Sequence, residues 1–404
     1  MSHFKARLQL FFLQPFRWYV IACAFAMFGN GLTYVVMTWL LLNHQNSVSA
    51  IAILMTCFWL PGVILGPFLG VLADRWDRKK LLIFANASRA LILLGFWYLL
   101  HGLPSVWMIY LLAVVSGSIL SLHIPAAMAL VRELVSKDQL LYANATVDIA
   151  YEVGAVAGMG CAGLIIALSS TKTTFMINAL CYVVATISLL LMRHEGQKRK
   201  LKKSRHGFVI QFISGWRYLS RRKSLLMLYT IQMLFFICYM TAPILLAPYA
   251  KSVLHTDVGQ FGMIEASLSV GLVLGGCFSP YLAEKYGVMQ ILIIESLLCA
   301  LYFYLFSQTQ SLILAELLYF MIGFCFSAWA LIITFAQDLT DINYQGRVQS
   351  LFSSLSGAVI IAFYYLLSTA GDLIRLDRLY WCEVILMLIS LGLLLYYRSH
   401  LLSE

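Results

Sequence analysis

Charge is what this sequence has least of: 11% of its 404 residues are Asp, Glu, Lys or Arg, while 61% are apolar. So sparse a supply of charges cannot keep a chain of this length in water, which excludes a soluble protein. Chemistry-bearing motifs are missing too. No GK(S/T) loop, HExxH, GxSxG or CxxC occurs, so nucleotide hydrolysis and hydrolase chemistry have no residues to carry them. An ATP-driven pump fails on the same ground, no cofactor or metal is implied, and an enzyme is not expected. The nine cysteines all fall within apolar segments and read as small buried hydrophobes.

Apolar runs dominate what is there. A spanning helix needs about 20 mainly apolar residues, and twelve such stretches can be marked: 17–42, 48–73, 80–100, 105–130, 140–168, 173–192, 224–250, 258–283, 288–307, 311–336, 346–370 and 379–397. The pattern predicts an all-α membrane protein with twelve transmembrane helices. Lys5 and Arg7 precede a short apolar run, but Pro15 and Arg17 interrupt it, so the first segment reads as a retained span and not a signal peptide.

The longest polar stretch, rich in Lys and Arg, separates the sixth span from the seventh. It divides the chain into a six-helix lobe at 1–193, a basic linker at 194–223 and a second six-helix lobe at 224–404. With both termini and every second loop in the cytoplasm, 23 of the 28 Lys and Arg residues lie on that side. The positive-inside rule then predicts an N-in, C-in orientation. The net charge of +10 is accounted for by these loops, and no basic folded domain exists to bind nucleic acid.

The halves repeat. A shift of 210 residues lays Gly66 on Gly276, Leu72 to Trp76 on Leu282 to Tyr286, and Asn46-Ser47-Val48 on Thr256-Asp257-Val258. Duplication about a central linker marks a two-lobed carrier in which one lobe rocks against the other.

The stretch Gly70 to Lys80, GVLADRWDRKK, resembles the loop between helices two and three of the major facilitator superfamily, with Asp77 where many members have Gly. In that family the motif latches the lobes on the inner side. The resemblance therefore implies a latch role for Gly70, Asp74, Arg75 and Arg78. Ile124-Pro125-Ala126 leading into Glu133-Leu134-Val135, the Leu140 to Ala145 opening of span five, and Gln345-Gly346-Arg347-Val348 opening span eleven look like the drug:proton antiporter branch that includes macrolide-efflux proteins and enterobactin exporters. Arg347 joins the latch candidates on this basis. Gly154, Gly158, Gly160 and Gly163 are similar to the glycine-rich antiporter motif, with Met159 where Pro is usual; close helix packing explains them equally well.

Asp148 and Glu152 lie four apart on one face of span five. Charged carboxylates are costly in hydrocarbon, so both are expected to face the interior and one to bind a proton, as a proton-coupling site would. The alternative is a structural ion pair between Asp148 and Arg89 in span three. Glu265 in span eight is the matching carboxylate of the second half. Glu295 and Glu383 are expected to be peripheral, reaching toward the surface or loops; Glu316 lies on span ten. His123 on span four reads as a hydrogen-bonded core histidine or, more sharply, a proton relay.

The superfamily resemblance implies a cavity lined by helices one, four, seven and ten. The substrate-cavity candidates are Asn30, Thr33, Tyr34 and Thr38 on span one, His123 on span four, and Gln232 and Tyr239 on span seven. Together these readings predict a monomeric, proton-coupled exporter of a small amphipathic compound, a drug or a secreted metabolite such as a siderophore, in a bacterial inner (cytoplasmic) membrane. Its partners are the substrate, protons and the lipid bilayer. An importer of the same fold and a non-transporting membrane sensor or scaffold are the alternatives.

Overall fold

In a computed structural model of the protein, residues 10–99, 104–136, 139–194 and 208–401 are described. All regular structure among them is helical. The helices are α1 (Gln14–His44), α2 (Val48–Arg75), α3 (Arg78–Leu99), α4 (Val106–Leu134), α5 (Leu140–Leu168), α6 (Thr171–Leu191), α7 (Phe208–Ser220), α8 (Lys223–Ser252), α9 (Val258–Tyr286), α10 (Val288–Gln308), α11 (Leu312–Phe326), α12 (Ala328–Asp338), α13 (Ile342–Ala370) and α14 (Leu376–Leu401). Among the described residues twelve spans are long and apolar enough to cross a membrane: α1 to α6, α8 to α10, α11 with α12, α13 and α14. Pro15 stands at the start of α1, where its missing N–H leaves no gap in the ladder. Ser170 caps α6 by accepting the Thr173 N–H at 3.1 Å.

Two compact units emerge. The first comprises residues 1–45, 53–202 and 257–266, the second 46–52, 203–256 and 267–404. In the first unit α1 and α5 meet backbone to backbone. A Cβ on Gly158 would overlap the Phe28 carbonyl, and one on Gly31 the Ala155 carbonyl, so only glycine permits this approach. Two of the four glycines of the span-five motif, Gly154 and Gly158, therefore pack against α1. Gly163 lies against Val258 and Gly259 at the start of α9.

In the second unit two features differ from the sequence expectation. The basic stretch at 194–223 is not all loop, because it contains α7, which docks on α13. Tyr218 stacks on Tyr344 with centroids 4.2 Å apart, its hydroxyl accepts the Asp341 N–H at 2.9 Å, and Gly215 lies against the Arg347 carbonyl. Span ten is broken. At Ser327 the N–H turns to the Phe324 carbonyl at 3.2 Å, a three-residue return that ends α11 and restarts the chain as α12.

Candidate functional site

The helix starts carry a pattern that the repeat anticipates. Ser47 and its repeat mate Asp257 are both helix caps. Ser47 Oγ accepts the Ala50 N–H at 3.1 Å, while Asp257 and Gln260 form a reciprocal capping box, with N–H to side-chain distances of 2.8 and 3.0 Å. The α2 start has a further anion. Asp372 accepts the Val48 N–H at 2.8 Å and the Ser47 hydroxyl at 2.6 Å, satisfying donors that the first turn of a helix leaves open.

Within the first unit a polar seam ties α1, α3, α4 and α6. Arg89 donates to Tyr182 Oη at 2.9 Å and to the Ser116 carbonyl at 3.0 Å, with its guanidinium 5.2 Å from the Tyr182 ring centroid. Asn178 Nδ2 donates to Thr33 Oγ1 at 2.8 Å, which donates on to the Gly29 carbonyl at 2.8 Å. The partners of Arg89 are thus Tyr182 and Ser116, so the alternative of an Asp148–Arg89 ion pair is not realised. Asp148 is exposed and Glu152 half-buried, one turn apart on α5. Glu265, only 4% exposed, accepts the Tyr34 hydroxyl at 2.8 Å.

His123 is buried, and neither ring nitrogen has a hydrogen-bond partner among the described residues; the expected hydrogen-bonded histidine is not seen. Asn30 is half-buried on α1, and Thr38 is buried with its hydroxyl unpaired. In the second unit Gln232 is fully buried with both amide atoms unpartnered. Tyr239 meets Phe326 edge-on at 5.6 Å.

Of the latch candidates, Arg78 is fixed inside the first unit. It pairs with Glu133 at 2.5 Å and donates to the Ala129 carbonyl at 3.2 Å; His194 Nε2 lies 3.2 Å from the other oxygen of Glu133. Arg347 reaches Ser214 on α7 at 3.4 Å and lies over the Tyr344 ring. The side chains of Gly70, Asp74 and Arg75 lie outside the described residues, although the α2 backbone runs through Arg75.

Sequence reasoning missed Asn178 and Tyr182, one turn apart on α6, whose polar faces could have marked them as partners for a buried Arg. It also misplaced Glu295 and Glu383. Both are buried within the second unit, 4% and 1% exposed, with Ser279 donating to Glu295 and Thr241 donating to Glu383 at 2.6 Å. Neighbouring helices cover the faces on which they stand, which distance from a helix end does not reveal. No group of three or more His, Cys, Asp and Glu side chains able to hold a metal ion occurs among the described residues.

The sequence pattern of the Major Facilitator Superfamily matches residues 19–364. The chain belongs to this superfamily. Macrolide efflux protein A of Enterococcus faecalis is 26% identical over 316 residues, covering 74% of this chain and 93% of that protein. Enterobactin exporter EntS of Shigella flexneri is 24% identical over 294 residues, 70% of this chain and 67% of its own. The MFS-type transporter YfiS of Bacillus subtilis is 28% identical over 177 residues, and the match spans 42% of that protein. Among solved structures, the nucleoside transporter NupG aligns with a TM-score of 0.69 at 13% identity, over 95% of this chain and 98% of that one. A bacterial homolog to the human lysosomal transporter Spinster aligns with a TM-score of 0.71 at 14% identity, over 95% and 97%. At such identities the structural likeness shows the fold alone. As a superfamily member the protein is a multi-pass membrane transporter of small molecules, not an enzyme.

Proposed function

We propose that this superfamily member is a secondary active exporter of a small amphipathic compound, a drug or a secreted metabolite such as a siderophore, driven by protons through alternating access. The observation that carries export is the match to macrolide efflux protein A over nearly that protein's whole length, alongside the enterobactin exporter. Proton coupling rests on three carboxylates along the membrane-spanning helices. Asp148 and Glu152 share one face of α5, and Glu265 is tied to Tyr34 of α1, a cavity candidate. A proton taken from outside neutralises Glu152 and Asp148, weakens their hold on a cationic or hydrogen-bonded solute, and permits return to the inward-facing state. The Lys and Arg distribution supports an N-in, C-in orientation, and the bacterial relatives support an inner membrane. The latch reading of Gly70, Asp74, Arg75, Arg78 and Arg347 belongs to the same proposal, as do a monomeric state and the division at 193 and 224 into two lobes and a linker.

The test is a mass-spectrometric comparison of spent medium and cell contents from a deletion strain and its complemented parent, with and without iron limitation. Export predicts a compound missing from the medium and raised in cells; the reverse pattern means import. Glu152→Gln and Asp148→Asn are then assayed in vesicles, and intact gradient-driven transport in both would overturn the coupling assignment.

A further inference from the structure

The break in span ten has a carboxylate beside it. Ser327, between α11 and α12, has its hydroxyl 2.9 Å from Ser279 Oγ on α9, and Ser279 in turn donates to Glu295 Oε1 on α10. The approach is made possible by Gly275 on α9, where a Cβ would stand 2.6 Å from Ser327 Oγ. Three helices of the second unit thus converge on a cluster of side-chain oxygen atoms at the C-terminal end of α11.

The site is buried. Ser279 is fully buried, Ser327 is 3% exposed and Glu295 4%. The second oxygen of Glu295, Oε2, is buried with no hydrogen-bond partner. Among the described residues no Lys, Arg or His forms an ion pair with Glu295. The titratable groups near it are Cys299 on the next turn of α10 and Cys325 on α11, with Glu383 of α14 beyond Cys299. None supplies a cation. A bare carboxylate in such surroundings is too costly to persist, so its charge has to be cancelled by something bound. Breaks in a span are a recurring place for secondary transporters to hold H+ or Na+, and here a buried carboxylate stands beside one.

We propose that Glu295, Ser279 and Ser327 form a monovalent-cation site at the break in span ten, loaded by a proton or by Na+ and separate from the Asp148–Glu152 face. The hydroxyls orient toward the carboxylate when it holds a proton and turn their lone pairs to a metal ion when it does not. The set is all oxygen, which suits a hard cation.

The experiment uses the purified full-length protein in detergent, with two arms. In the first, the thermal midpoint is compared in NaCl and in equimolar choline chloride. In the second, infrared difference spectra are taken in choline chloride between about pH 9 and about pH 5, a range that brackets ordinary and strongly displaced carboxyl titration. Loading by Na+ predicts a rise of a few degrees in NaCl that is reduced in Ser327→Ala and absent in Glu295→Gln. Loading by a proton predicts a carboxyl band that appears on acidification, is missing in Glu295→Gln, and changes its midpoint in Ser327→Ala. A carboxyl that never changes across the range, together with no sodium-dependent shift, would make Glu295 a permanently protonated structural group and overturn the proposal. Should Glu295→Gln fail to fold, Ser327→Ala carries both arms, because it removes a ligand oxygen and leaves no orphaned charge. Both readouts are of binding, so they stand whatever the transport assays on Asp148 and Glu152 return.

Discussion

Tyr34 on α1 donates its hydroxyl to Glu265 on α9 at 2.8 Å, joining residues 231 positions apart in the chain. Glu265 is 4% exposed, so removing the donor leaves one carboxyl oxygen with a poorer environment. Tyr34→Phe is expected to lower stability by about 1–3 kcal/mol, read as a fall in the thermal midpoint of the purified protein. Glu265→Gln keeps an acceptor for Tyr34 and is expected to fold normally while losing response to an imposed pH gradient in vesicles. Normal gradient response in Glu265→Gln would remove this carboxylate from the coupling scheme.

The Arg78–Glu133 pair is largely shielded from water, with side chains 11% and 10% exposed. Removing one side of such a pair takes a main partner from the other charge, a loss of roughly 3–5 kcal/mol when burial is complete and nothing else compensates, and less here, where Glu133 keeps His194 and Arg78 keeps the Ala129 carbonyl. Arg78→Ala and Glu133→Gln are each expected to lower the thermal midpoint, and the double variant to fall by less than their sum. Additive effects would mean that the two side chains do not depend on each other.

Close approach of α1 and α5 makes Gly158 intolerant of any side chain. Gly158→Ala is expected to cost about 1–3 kcal/mol through displaced backbone, seen as a drop in membrane-inserted, detergent-stable protein. Gly276→Ala is the control, since nothing lies within 4 Å of a Cβ there, and it should accumulate normally. Equal accumulation of the two variants would contradict the packing described.

Asp372→Ala should weaken the start of α2 without abolishing it, because Ser47 still caps Ala50. The expected loss is about 0.5–1 kcal/mol, the low end of capping effects for an exposed carboxylate. Hydrogen exchange at the amides of Val48 and Ser49 is the direct measure, and unchanged protection there would deny Asp372 its role.

The number of spans was legible in the sequence because a helix that crosses hydrocarbon must be long and apolar, and both properties are local. The equivalence of Ser47 and Asp257 was legible too, since the repeat carried it without a gap. The partners of Arg89 were not. Tyr182 lies 93 positions away, and which of several polar groups an arginine meets is decided by helix packing. For the same reason Glu295 and Glu383 looked peripheral by their distance from helix ends and proved buried by the face they occupy. The break at Ser327 left no trace, because the apolar run from α11 to α12 continues across it and neither Pro nor Gly stands at the junction.

The caps of α2 and α9 differ in ownership. The α9 start is closed by Asp257 and Gln260 from its own first turn, so it can travel with its helix and stay satisfied. The α2 start leans on Asp372, a loan from the far end of the chain. Any movement that parts them strips an amide and a hydroxyl of their acceptor at once, and water must take its place. Two helices related by duplication therefore face unequal thresholds for release, so an exchange of conformations in this carrier need not begin at both repeats together.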